Sequence, residues 1–140
     1  MYLEFGAYVF AIHAAHIDYR FRILPNSLTM MIAALGVAQC SLLGEFPQSI
    51  YLIFTLSHLL MSVLIPRAFG MGDVKLLAGI GLFFEDSGGY LTWLLLSYLS
   101  GLSWGLFQRV RSLAFGPHLV LAWIACSVGD YAYVSILNGR

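Results

Sequence analysis

The chain has 140 residues, of which 60% are hydrophobic and 10% charged, with a mean hydropathy of +0.84. A single soluble core of this size cannot hide so much apolar surface, so composition places the chain in lipid. Seven Lys/Arg against seven Asp/Glu leave no net charge, which excludes a nucleic-acid footprint and a disordered acidic tail.

Polar breaks divide the sequence into six apolar segments, and each predicts a membrane-crossing helix. The first, Leu3–Ile17, opens with Glu4 where a secretory leader would carry a base, and it has no clear small-x-small cleavage site. It reads as a retained span. The second and third run from Ser27 to Leu43 and from Ser49 to Ile65. The fourth, Gly72–Phe84, falls well short of the roughly 20 residues needed to cross the hydrocarbon, so its first turn must lie near a membrane face. Tyr90–Phe107 and Leu113–Leu137 complete the set. The expectation is an all-α polytopic protein, a six-span helix bundle forming one domain over residues 1–140.

Arg20, Arg22, Arg67, Lys75, Arg109 and Arg111 follow alternate segments, while the loops around Glu45 and around Glu85 and Asp86 carry no base. By the positive-inside rule the basic side is cytoplasmic, leaving both termini outside the inner membrane. Arg140 alone lies on the other side. A re-entrant fourth segment would put Arg109 and Arg111 outside, so a true crossing is expected.

Glu4, Glu45, Glu85, Asp86 and Asp130 all fall toward the outer face. Only Asp18 and Asp73 lie on the cytoplasmic side, each where a loop meets a span, and two complete spans separate them. Ionisable groups at that depth are functional candidates. Two neighbouring carboxylates that share one proton can work as base and acid on a peptide bond. Equally, Asp18 can pair with Arg20 or Arg22, and Asp73 with Lys75, as plain ion pairs. Two glycines, Gly70 and Gly72, stand just before Asp73. They permit unusual backbone angles and close approach by an extended substrate strand, or they form a simple turn.

Three stretches together resemble the type IV prepilin peptidases, the GxGD class of aspartyl proteases. They are Asp18-Tyr19-Arg20-Phe21-Arg22-Ile23-Leu24-Pro25-Asn26-Ser27-Leu28-Thr29, then Gly70-Met71-Gly72-Asp73-Val74-Lys75-Leu76-Leu77, then Phe115-Gly116-Pro117. Leu24, Met71 and His118 depart from the residues usual at their positions. The larger members of that family carry a four-cysteine zinc insert and a methyltransferase activity. Here there is no CxxC, and Cys40 and Cys126 read as small buried hydrophobes. The resemblance therefore implies the short, peptidase-only form associated with tight-adherence (Flp) pili. It implies Asp18 and Asp73 as the catalytic pair, a pilin precursor as substrate, and no cofactor or metal. The rival reading is a non-enzymatic subunit of a secretion or pilus assembly, or a small transporter component. Against a proton path, no acid falls near mid-bilayer.

Around the pair, Pro25 and Asn26 read first as a helix start with Asn26 as N-cap, and second as a group orienting Asp18. Lys75 reads as a snorkelling anchor or as a tuner of Asp73. Gly116 and Pro117 read first as a turn with proline at a first helical position of the last span, and the resemblance implies a second role in shaping the floor of the site. His13 and His16, at i and i+3, lack enough companions for a metal and read as helix-packing residues. His58 and His118 receive no role. Ser97, Gly101 and Gly105 form a small-residue packing stripe.

Overall fold

The computed structural model describes residues 2–44, 49–65, 70–109 and 113–138, and all the regular structure among them is helical. The helices are α1 (Tyr2–Phe21), α2 (Asn26–Leu43), α3 (Ser49–Leu64), α4 (Met71–Gly81), α5 (Ser87–Gln108) and α6 (Gly116–Asn138). Arg67, Arg111, Arg140 and the Glu45 loop lie outside the described residues. The predicted segments coincide with the helices except at a few ends. The main change is at α1, which runs on through Asp18 to Phe21, so Asp18 sits inside the last helical turn.

Local chemistry accounts for the ends. Gly44, at φ +70°, closes α2 with its N–H on the Cys40 carbonyl, the left-handed stop that glycine adopts without strain. Asp86 caps α5 by accepting the Gly89 N–H at 2.8 Å. Pro25 precedes α2 in extended backbone.

Successive helices alternate in direction. Leu24 meets Gly72 and Gly36 meets Leu82, so α2 and α4 run in parallel. Tyr8 is hydrogen-bonded to Ser127 at one end of the α1–α6 pair, and Asp18 meets Gly116 at the other. Trp93 Nε1 donates to the Leu119 carbonyl at 2.8 Å, while Gly101 lies against Phe115, so α5 and α6 are antiparallel. Tyr51, in the first turn of α3, crowds Gly81 at the end of α4, and Ser62 near the end of α3 reaches Met71. Thus α4 runs from one end of the bundle toward the other and does not double back. Short as it is, α4 is the innermost helix: Val74, Leu76, Leu77, Gly79, Ile80 and Gly81 are all buried. It packs on α2, α3 and α6, while α1 joins α2 to α6 and α5 packs on α6.

The core holds Trp93, Trp123, Tyr90, Leu76, Leu77, Ile80 and Leu119. Phe84 stacks on Trp93 with centroids 5.2 Å apart, and Phe83 lies 5.0 Å from Trp123. Outside, the surface is largely apolar, with Phe5, Val37, Leu56, Leu60, Leu99 and Leu102 all exposed. Among the described residues, one helix, Asn26–Leu43, is both long and apolar enough to cross a membrane, and Ser49–Leu64 is apolar but shorter.

The α2–α4 seam depends on the absence of a side chain at Gly36. A Cβ there would lie 2.7 Å from Leu82 Cβ and 3.3 Å from the Gly79 carbonyl oxygen. Gly36→Ala should therefore destabilise by about 1–3 kcal/mol, read from thermal unfolding in detergent. At Gly105 a Cβ would meet nothing within 4 Å, and Gly105→Ala should change stability by less than about 1 kcal/mol. The packing stripe of α5 accordingly consists of Ser97 and Gly101, both buried, without Gly105.

Candidate active site

Three helix ends converge at the end of the bundle where α1, α3 and α5 finish. Asp18, on the inner face of α1 with Ala7, Ala11 and Ala14, is only 6% exposed. Its Oδ2 accepts the Gly116 N–H at 3.2 Å, the first amide of α6. After Asp18 the helix completes its last bond, Arg22 N–H to the Asp18 carbonyl at 2.8 Å. Arg22 itself is left-handed, at φ 57°, and its charge acts on Asp18.

Asp73 stands in the first turn of α4. Its N–H and that of Val74 both reach the Gly70 carbonyl, at 3.0 and 3.3 Å. The Asp73 carboxylate faces the amides of Gly70 and Gly116 and lies within electrostatic reach of Asp18. The Gly116 amide is bonded to Asp18, and Asp73 stands at the amino-terminal end of α4, as Gly116 does at that of α6. Asp73 Oδ1 is buried with no hydrogen-bond partner among the described residues. A buried carboxylate oxygen left in that state is costly to hold, and sites of this kind in native proteins call for an explanation.

Glycine explains how the acids come so close. A Cβ at 116 would stand 2.9 Å from Asp18 Oδ2, and one at 72 would stand 2.8 Å from Leu24 Cβ. Gly72 lets the first turn of α4 lie directly on the α1–α2 connection that follows Asp18. Unusual backbone angles play no part, because Gly44 is the one glycine at positive φ among the described residues. That corrects the expectation from the sequence: these glycines serve close approach, not strained turns.

The type IV leader peptidase family model matches residues 5–106, most of the 140-residue chain. The chain belongs to the type IV leader peptidase family. No curated protein and no solved structure matches it. Membership brings a peptidase activity of the leader-peptidase type in general. Asp18, Pro25, Asn26, Gly70, Gly72, Asp73 and Lys75 lie within the matched stretch, whereas Gly116 and Pro117 lie beyond it.

The remaining residues singled out in this leader peptidase sequence fall into place around the carboxylates, with some corrections. Asn26 is the first residue of α2 and does not cap it; Pro25 occupies the cap position and makes no side-chain bond. Asn26 Oδ1 accepts from Lys75 Nζ at 2.8 Å, so its side-chain oxygen is directed to α4. This bond joins the starts of α2 and α4, and it gives Lys75 a protein partner at the surface. Because both groups are exposed, Asn26→Ala should cost less than about 1 kcal/mol and lower turnover by under about fivefold. Thermal unfolding and cleavage rates on the same preparation check this. Pro117, half-buried, follows Gly116 in the first turn of α6.

His13 and His16 are both exposed, so they are not buried packing residues, because they fall on the outer face of α1, off the Ala7–Ala11–Ala14–Asp18 line. His118 is buried beside the site, with Nδ1 3.2 Å from Ser100 Oγ. The Ser100 hydroxyl already donates to the Ser97 carbonyl at 3.0 Å, so the imidazole donates to Ser100. His58 is hydrogen-bonded to Tyr98. Neither contact was readable from the sequence, where these histidines stand alone. Arg20, Arg22, Lys75 and Arg109 lie at the Asp18–Asp73 end. At the opposite end Glu4, Glu85, Asp86 and Asp130 line one cavity, in keeping with the shared face expected for these acids. Cys40 and Cys126 are half-buried and not joined in a disulfide, and the Cys40 thiol donates to the Leu82 carbonyl at 3.4 Å.

Proposed function

We propose that this chain is a membrane-embedded aspartyl endopeptidase that removes the leader of a type IV or Flp prepilin-like precursor at the cytoplasmic face. The observation that carries the reading is the pair of carboxylates, Asp18 on the Gly116 amide and Asp73 within electrostatic reach of it, in a chain of the leader peptidase family. The ionised carboxylate takes a proton from water as the water oxygen attacks the scissile carbonyl carbon. The other, protonated, carboxyl gives its proton to the carbonyl oxygen. Collapse of the tetrahedral intermediate then breaks the C–N bond, and the departing amine leaves protonated. The unpartnered Asp73 Oδ1 supports the reading, since among the described residues no protein group uses its hydrogen-bonding capacity.

In this reading all six helices cross the inner membrane, with the basic end of the bundle in the cytoplasm and both termini outside. The exposed apolar exterior and the separation of Arg20, Arg22, Lys75 and Arg109 from the acidic cavity support that orientation. A prepilin keeps a charged leader in the cytoplasm and an apolar helix in the bilayer, so its cleavage point lies at the depth proposed for Asp18 and Asp73. The mechanism uses no metal or cofactor. Co-expression with a Flp prepilin tests the reading: the shortened pilin should accumulate, with a new amino terminus at the leader junction. Precursor that stays full length beside inserted enzyme would refute it.

A further inference from the structure

If the substrate is a helix in the bilayer, as the proposed function requires, it must reach the enclosed carboxylates sideways, between two helices. The seams of the bundle are held in different ways. On α1, Ala7, Ala11 and Ala14 are fully buried. Gly36 lies against Leu82 and the Gly79 carbonyl, and Gly101 against Phe115 and Leu113. Parting those seams would uncover close-packed core.

Helix α3 is held otherwise. It packs along α4 and meets α5 over a narrow stretch. Its buried residues, Tyr51 and Ser62, both turn to α4: the Tyr51 hydroxyl donates to the Ala78 carbonyl at 2.8 Å, and Ser62 Oγ reaches Met71 Sδ at 3.9 Å. Toward α5 it offers three ring pairs, the first being Tyr51 edge-on to Tyr90 with centroids 5.8 Å apart. Phe54 meets Tyr90 edge-on with centroids 6.4 Å apart, and His58 stacks on Tyr98 at 5.8 Å. His58 Nδ1 lies 2.6 Å from the Phe54 carbonyl and must donate to it. Nε2 is then the acceptor for the Tyr98 hydroxyl. Behind this bond, Tyr98 packs on Phe115 with centroids 5.2 Å apart, and Phe115 immediately precedes the Gly116 amide. Tyr98 is also within electrostatic reach of Asp73.

We propose that the α3–α5 seam, latched by the Tyr98–His58 hydrogen bond, is the lateral entrance through which the apolar helix of the substrate reaches Asp18 and Asp73. One interhelical hydrogen bond is a weak tie in lipid, and releasing it leaves the α1–α2–α4–α6 core intact. The occupant is apolar along its length, matching the hydrophobic side chains of α3 and α5 that would flank it.

The test is a reversible bridge. In a Cys40→Ser, Cys126→Ser background, His58→Cys with Tyr98→Cys is linked by a short bis-methanethiosulfonate and cleavage of a prepilin is followed. Linking should slow cleavage at least about tenfold, and reductant should restore it. The same bridge at Tyr8→Cys with Ser127→Cys, across α1–α6, should leave the rate unchanged. Should the His58/Tyr98 pair fail to fold, Phe54→Cys with Tyr90→Cys spans the same seam. Cleavage by the linked enzyme at the unlinked rate, or equal inhibition by the α1–α6 bridge, overturns the entrance. Tyr98→Phe, which removes only the hydroxyl, should cleave within about threefold of the parent or faster; complete loss would place Tyr98 in the chemistry and overturn its role as a latch. Absence of cleavage by the parent enzyme in both redox states would instead remove the peptidase reading itself.

Discussion

Asp18→Asn and Asp73→Asn should each lower prepilin cleavage by roughly 10²–10⁴-fold while leaving the protein inserted and folded. Neither side chain carries the packing core: Asp18 meets an amide, and Asp73 keeps one oxygen without a partner. Asparagine preserves shape and can still accept the Gly116 N–H, so stability should change little. What it cannot do is cycle a proton. One remaining carboxylate cannot serve as base toward water and as acid toward the carbonyl at once, so the two variants should fail alike, and their combination should be no worse than either. The measurement is the ratio of mature pilin to precursor at matched enzyme levels. Processing by either variant at a substantial fraction of the parent rate would exclude the two-aspartate mechanism. A loss confined to Asp73→Asn would show a single essential acid, with Asp18 in a supporting role.

Gly116→Ala should be the most damaging change outside the pair. The new methyl would lie 2.9 Å from Asp18 Oδ2 and 3.4 Å from its Cγ, inside van der Waals contact, and the first turn of α6 is packed behind it by Leu119 and Val120, both buried. The carboxylate must give way. Because the Gly116 amide holds this carboxylate beside Asp73, a displacement approaching 1 Å should cost up to about 10²-fold in turnover. The loss should appear in kcat more than in KM, since the substrate helix does not bind through this methyl. Gly105→Ala, on an open face of α5, is the matched control and should retain parent activity. Equal thermal stability of parent and Gly116→Ala, with turnover unchanged, would show that the close approach of α6 has no bearing on the reaction.

Much of this was legible in the chain. Apolar runs broken by polar loops located all six helices, because a helix satisfies its backbone internally along its length and polar, Gly- or Pro-containing stretches fall at its ends. The spacing of bases and acids predicted which loops share an end. Asp18 and Asp73 stood out because acids are rare on that side, and the glycines before Asp73 marked a place of close approach. The end of α1 was misjudged: the run Asp18-Tyr19-Arg20 looks like a loop by polarity, yet its backbone continues the helix.

Only the tertiary structure decided the rest. The Gly116 amide that holds Asp18 is a backbone group, and every residue but proline has one, so residue identity cannot announce it. The glycines at 72 and 116 had several possible reasons until Leu24 and Asp18 were seen where a Cβ would go. Asn26 looked like a cap because local sequence knows only its own helix; Lys75, 49 residues away, is its actual partner. His58 and Tyr98, and the acids Glu4, Glu85, Asp86 and Asp130, meet across helices whose relative rotation is set by which small residues interlock in the core. Periodicity in one strand of sequence fixes which face of a helix is apolar, and it carries no record of which other helix that face will meet.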